Sequence, residues 1–266
     1  MPKPRSLDGC DNIIDRWLGL RQIGQPPQYQ HDEHCQFLSE SPPSHVDGVN
    51  LISNLLDQIE RNWKASRKTR TREPSRENWR FTKVPIRTAK NRPEVTLERR
   101  IVQSITDETW ANQIPTCSGL VDSYTDKRRA IDLAHRKTNL AEFLELKLDW
   151  GSGTPLFAAF EILGYGLLYY FSRCHMQELG YSVEQKPLLG ANEVRLIVLA
   201  PSSYYESANF GWLETALDQG LSALMPKSGT DRPRMSFRFE MFPREFALKC
   251  SDQELKQSLA KRRNVY

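Results

Sequence analysis

The sequence contains no long hydrophobic run. Its most apolar segment, Pro155 to Phe171, is shorter than a bilayer span requires and is interrupted by Glu161. A buried helix is expected there, and no membrane partner. No C-x-x-C pair occurs. The five cysteines, Cys10, Cys35, Cys117, Cys174 and Cys250, are scattered and odd in number, which argues against a disulfide framework and fits free thiols in a reducing compartment. No apolar stretch follows the opening Met-Pro-Lys-Pro-Arg, so no secretory leader is expected and the expected location is cytoplasmic. A P-loop and a G-x-S-x-G nucleophile elbow are both missing, which removes those two routes to phosphate and acyl chemistry. Apolar residues are also scarce, at 39% with a mean hydropathy of −0.60. Typical globular chains hold about 45–50%, so much of these 266 residues is expected at the surface or disordered.

What is present is unevenly spread. Residues 1–60 carry four Lys/Arg against nine Asp/Glu, a net charge of −5. Residues 61–92 carry twelve Lys/Arg against two Glu, a net charge of +10, and interleave Trp63, Trp79 and Phe81. Basic residues alternating with aromatics suit nucleic-acid backbones and bases. Arg67, Lys68, Arg70 and Arg72 are the candidate phosphate contacts, and a solvated linker is the plainer alternative. His31-Asp32-Glu33-His34-Cys35 has metal-ligand residues but no second ligand pair at finger spacing, so zinc is not expected.

Residues 1–92 lack sustained periodicity apart from an amphipathic helix over about 48–63, and read as a largely extended, partly disordered N-terminal extension. From Pro93 the pattern sharpens. A helix is expected over 96–106, strands over 114–121, 131–135 and 141–148, and an apolar helix over 155–172. A buried strand over 194–200, a helix over 210–225 and a strand over 235–241 follow. Ser251-Asp252-Gln253-Glu254 has capping-box spacing and should open a basic C-terminal helix within 251–266. The order predicts an α/β domain over 93–250, a mixed sheet flanked by helices.

The chemistry sits on the second and third strands. With Thr138-Asn139 as the tip of their hairpin, Asp132 lies directly opposite Glu145, and opposed Cβ atoms are roughly 4.5–5.5 Å apart. Lys147 shares the face of Glu145, while Ile131, Leu133, Leu144, Leu146 and Leu148 make the other, apolar face. Two facing carboxylates repel, and either a hard divalent cation or Lys147 could offset that. Glu-x-Lys also occurs at Glu184 and Glu254, but only Glu145-Leu146-Lys147 lies on an apolar-alternating strand with an Asp in register. A surface ladder of ion pairs is the plainer reading of it.

This arrangement resembles the PD-(D/E)XK nuclease superfamily, on Ile131-Asp132, Glu145-Leu146-Lys147, the helix before them and the helix and strand after them. Ile131 stands where the family often has Pro. The resemblance covers about residues 93–245 and implies an αβββαβ restriction-endonuclease-like core. It also implies Mg²⁺- or Mn²⁺-dependent hydrolysis of phosphodiester bonds, in DNA before RNA. Asp132, Glu145 and the Leu146 carbonyl would hold the metal, with Glu98 as a further ligand, and Lys147 would orient or deprotonate the attacking water. Glu161 and Tyr165, one turn apart on the apolar helix, are candidate accessory residues. Glu98 also suits a helix first turn for dipole reasons alone. A non-catalytic nucleic-acid-binding module on the same fold is the rival, and a homodimer is left open.

Overall fold

The computed structural model describes residues 5–20, 26–67, 73–85, 93–105, 107–121, 129–224 and 232–266. Helices α1 (Cys10–Trp17), α2 (Asp32–Glu40) and α3 (Gly48–Arg67) precede α4 (Pro93–Ser104). Strands β1 (Trp110–Pro115), β2 (Ala130–Arg136) and β3 (Leu140–Leu146) lead to the long helix α5 (Pro155–Cys174). Then come β4 (Glu193–Ala200), α6 (Ser202–Tyr205), α7 (Gly211–Ser222), β5 (Arg234–Met241), α8 (Asp252–Ala260) and β6 (Arg263–Asn264).

The strands form one six-stranded mixed sheet in the order β1-β2-β3-β4-β5-β6. The first three make an antiparallel meander, β3, β4 and β5 run parallel, and β6 returns antiparallel at the edge. Helices flank the sheet. On one face Ala134, Phe143, Leu196, Val198 and Phe239 pack with α5 and α7. On the other, Leu133, Leu144, Leu146, Ile197 and Leu199 pack with Leu97 and Ile101 of α4 and Leu255 and Leu259 of α8. Strand alternation thus supplies two cores from one sheet. No helix among the described residues is long and apolar enough to cross a membrane.

The apolar segment forms α5, as its sequence predicts. The Thr154 hydroxyl accepts from the Phe157 amide and Pro155 occupies the first turn, where its missing N–H costs nothing. Both sides of α5 are covered, by the sheet and by α3, so it is apolar nearly all round.

Residues 1–92 do not form a largely extended arm where they are described. Cys10, Ile14, Leu18, Tyr29, Cys35 and Leu38 are buried in the same core as α5. Helix α3 crosses α7 so closely that a Cβ on Gly48 would lie 1.8 Å from the Ala216 carbonyl oxygen. Helix α1 is strongly amphipathic, but at eight residues it, like the nine-residue α2, is too short for its pattern to recur over the window that marks a helix. Trp63 and Trp79 likewise belong to the core: Trp63 packs edge-on against Phe171, and Trp79 is fully buried against Phe143 and Tyr169. Neither ring is available to a base. Lys68, Arg70, Arg72 and the Arg67 side chain lie outside the described residues.

Two further elements differ from the pattern. The first strand occupies 110–115 and not 114–121. Residues 116–121 turn away, held by the Ser118 amide on Asn78 Oδ1, and Gly119 takes a positive φ against the backbone of Glu73 and Pro74. The C-terminal helix does open on the capping box at Ser251 and Glu254. It stops at Ala260, and Arg263–Asn264 join the sheet as β6, a strand too short to leave a pattern.

Candidate functional site

The β2–β3 hairpin has the register its sequence predicts: Leu133 faces Leu144, Ala134 faces Phe143 and His135 faces Glu142. The Lys137 amide donates to the Leu140 carbonyl, which leaves Thr138 and Asn139 at the tip. The paired register ends at Leu133 and Leu144, and just beyond it Asp132 and Glu145 lie close enough for their charges to interact. There the regular ladder gives way to side chains. The Leu146 amide donates to Asp132 Oδ2 at 3.0 Å, and the Leu148 amide donates to Glu94 Oε1 at 3.1 Å. Between them the Lys147 amide pairs with the Leu199 carbonyl on β4. Ile131 departs from the expected alternation and joins the core shared with α5. The change occurs beside Gln113, whose φ of 49° interrupts β1 between the Asn112–Leu133 and Ile114–Ile131 pairs.

Glu145 and Lys147 are both buried, at 4% and 5% exposure. Lys147 Nζ donates to Glu145 Oε1 at 2.8 Å and to Glu161 Oε2 at 3.2 Å, and lies 5.7 Å from the centre of the Phe157 ring. The Tyr165 hydroxyl donates to Glu161 Oε1 at 3.3 Å. Helix α5 therefore delivers Glu161 and Tyr165, one turn apart, to the same cluster. Gly153 takes φ 129° beside Lys147 and Phe157, and its carbonyl accepts from the Tyr204 hydroxyl, which ties the loop before α5 to α6.

Several carboxylates share one ammonium, and their proton affinities show it. Burial, with the charges of Glu161 and Glu94, pushes the half-buried Asp132 up to about 6, although the Leu146 amide and Lys147 oppose the shift. Burial and the neighbouring charges of Asp132 and Glu161 hold Glu145 well above the usual carboxylate range. Burial works against the charge of Lys147, but Glu145, Glu161 and Asp132 outweigh it and raise its pKa, so it stays a cation. Glu98, on α4, is pushed up to about 8 by burial and by Asp132. Its two oxygens accept from Asn112 Nδ2 at 3.0 Å and Gln113 Nε2 at 2.9 Å, so it sits beside the cluster with its own partners.

Among the described residues, no group of three or more His, Cys, Asp or Glu side chains is placed to hold a metal ion. A Mg²⁺ site does not require three. That ion is commonly bound by one or two carboxylates and keeps several waters. Asp132 and Glu145 supply a pair of that chemistry, and Glu145 Oε2 is buried with no hydrogen-bond partner. A buried acceptor without a donor is costly, and a hard cation is the partner that would offset it. The donor set therefore fits a divalent cation.

Glu94 was not legible as part of this corner, because the expected helix begins only at Thr96, whereas α4 opens at Pro93. Pro at the first helical position followed by an acidic residue is the signal that finds it. His31 and His34 meet edge-on with ring centroids 6.3 Å apart, but His34 bonds Gln28 and Cys35 is fully buried in the core. No protein-family model matches the chain, and no match was found among curated proteins or solved structures.

Proposed function

We propose that the protein is a divalent-metal-dependent nuclease that hydrolyses phosphodiester bonds in DNA, built on a restriction-endonuclease-like αβββαβ core. One observation carries the reading: two carboxylates and a lysine meet at the open end of one hairpin, and Glu145 keeps a buried oxygen without a partner. The succession α4-β1-β2-β3-α5-β4, with β4 parallel to β3, supports the core assignment.

Asp132 and Glu145 would hold Mg²⁺ or Mn²⁺, with Glu98 available only after giving up Asn112 or Gln113. When bound, such an ion stabilises charge on the phosphate and lowers the pKa of water. The Leu146 amide fixes the Asp132 carboxylate, and Glu161 and Phe157 fix the Lys147 ammonium. Held as a cation, Lys147 acts as a donor that orients water or a phosphate oxygen, and not as a base. Glu161 and Tyr165 position Lys147 from behind.

The test is cleavage of DNA and of RNA by purified protein with Mg²⁺ or Mn²⁺, and with chelator. Metal-dependent DNA cleavage is expected, abolished by Asp132→Ala. Lys147→Ala should slow it by about 10²–10⁴-fold while calorimetry still detects metal binding. Wild-type cleavage by both variants would sink the assignment of the site. Faster cleavage of RNA would change the substrate. Tight, metal-independent DNA binding without cleavage would favour the non-catalytic module, a reading to which the closed Lys147–Glu145–Glu161 contact lends support.

A further inference from the structure

We infer that the protein has a second ligand site, for a nucleoside monophosphate, on the α4–α8 side of the sheet near the tip of the β2–β3 hairpin. The inference stands whether or not the open end of the hairpin cleaves DNA. A cavity of about 470 Å³ lies there between the end of α4, the strands β1 and β2, and α8. That volume falls within the roughly 300–1,000 Å³ of small-molecule sites and exceeds what a bare phosphate needs.

Its walls divide by chemistry. Ile105, Trp110 and Leu259 supply an apolar side. Lys137, Lys256 and Arg262 supply three cationic groups, against one carboxylate, Asp107. Arg262 is the anchor. Its Nη2 reaches Glu142 at 3.1 Å and its Nε lies 2.9 Å from Glu240. Its Nε and Nη1 are both buried without a hydrogen-bond partner, as is Glu240 Oε2, so the contact with Glu240 is one of charge. Arg262 lines the cavity with its guanidinium hydrogen-bonded to Glu142 and charge-paired with Glu240, and it adds fixed positive charge to the wall that an anion would meet. Lys137 and Lys256 are exposed and free to close over the same anion.

The surroundings of Arg262 are rigid. The His135 ring stacks on Trp110 with centroids 4.4 Å apart and planes 12° apart, and His135 Nδ1 lies 2.7 Å from Glu142 Oε2. The Arg262 guanidinium sits 5.8 Å from the Trp110 ring centre. These contacts hold the cationic wall in place before any ligand arrives. A phosphate on Arg262 and the two lysines leaves the apolar side for a base. It also leaves Asp107 as an acceptor for ribose hydroxyls. A simple fatty anion would use the apolar wall but not the carboxylate, and inorganic phosphate would use neither.

The test is calorimetric titration of the full chain, in chelator, with AMP, GMP, CMP and UMP, and separately with adenosine and inorganic phosphate. Chelator keeps any metal-assisted binding at Asp132 and Glu145 out of the measurement. Saturable 1:1 binding of at least one nucleotide is expected, with the matching nucleoside and free phosphate each more than about tenfold weaker. The double variant Lys137→Glu/Lys256→Glu, altered only at exposed side chains, should weaken binding by about 100-fold or more, since one charged hydrogen bond is worth about tenfold or more. Asp132→Asn should bind the nucleotide as the wild type does. Failure of all four nucleotides to bind, equal binding of inorganic phosphate, unchanged affinity in the lysine double variant, or loss of binding in Asp132→Asn would each overturn the site. The last result would move the nucleotide to the open end of the hairpin, and none of them bears on whether DNA is cleaved.

Discussion

At the open end of the β2–β3 hairpin, Asp132, Glu145 and Glu161 surround the Lys147 ammonium. Nearer the tip, Glu142 alone is met by His135, Arg195 and Arg262. The two places are three residues apart along each strand, roughly 10 Å, and on β3, where alternation is unbroken, that odd separation puts Glu142 and Glu145 on opposite sides of the sheet. Their carboxylates respond in opposite directions. Asp132 and Glu145 are pushed up, whereas Glu142, despite its burial, is held down at about 2 by the His135 hydrogen bond and the charge of Arg262. One hairpin thus carries crowded carboxylates at one end and a charge-balanced cluster at the other, where Arg195 and Arg262 face Glu142 and Glu240. Crowded carboxylates left uncompensated inside a fold destabilise it, whereas a compensated buried cluster is costly to break because removing one partner leaves the other's charge unpaired.

The largest expected effect separates the two ends by activity. Asp132→Asn keeps an oxygen for the Leu146 amide and removes one of the crowded charges. Cleavage should fall by about 10²–10⁴-fold or more, while the melting temperature in chelator stays level or rises. Lys137→Glu, near the tip, should leave cleavage within about threefold of wild type, as expected for an exposed charge away from the chemistry. If Asp132→Asn melts well below wild type in chelator, the carboxylates are structural and the comparison fails.

The second effect is on stability, at the other end. Glu142→Gln removes a buried charge that faces two arginines and a histidine. Breaking a buried pair on one side costs about 3–5 kcal/mol, to be read from urea unfolding in chelator. A loss below about 1 kcal/mol would show that Glu142 is no more than a surface partner. The same variant should retain cleavage at low temperature, where it is still folded.

These two clusters were not equally legible. The open end could be read because it is local. Asp132, Glu145 and Lys147 lie within one hairpin, and alternation together with the Thr138-Asn139 tip sets the register that the structure shows. Glu161 and Tyr165 follow on the next helix, so proximity in sequence again helps. The tip cluster depends on Arg262, which meets Glu142 across 120 residues, and on Glu240, and no spacing links these positions. The basic stretch failed for a related reason. Composition cannot tell a tryptophan that stacks on a base from one that fills a core, and Trp63 and Trp79 fill the core. Helices this short are held by tertiary packing, α1 against α3 and α2 through Cys35 and Leu38 in the main core.

The smallest expected effect uses pH and metal together. Asp132 titrates near 6 in the fold, above its ordinary value, and Glu98 near 8. A carboxylate raised on folding stabilises while it stays protonated, and that contribution is lost as pH rises from about 4 through its folded pKa. In chelator, the melting temperature of Asp132→Asn relative to wild type should therefore climb between about pH 4 and pH 7. Glu142 has the opposite sign: its contribution is complete above about pH 4.5 and fades toward pH 2, so the deficit of Glu142→Gln should narrow only in acid. Added Mg²⁺ should reverse the first trend and not the second, because a cation competes with the protons on Asp132 and Glu145 and binds better as they leave. At a hundredfold excess over its dissociation constant, the ion stabilises by about 2.7 kcal/mol, or roughly 5–10 °C in a chain of this size. That shift should appear at pH 8, shrink at pH 5 and vanish in Asp132→Asn. A Mg²⁺ shift that persists in Asp132→Asn would place the ion elsewhere and leave the crowded carboxylates without a reason.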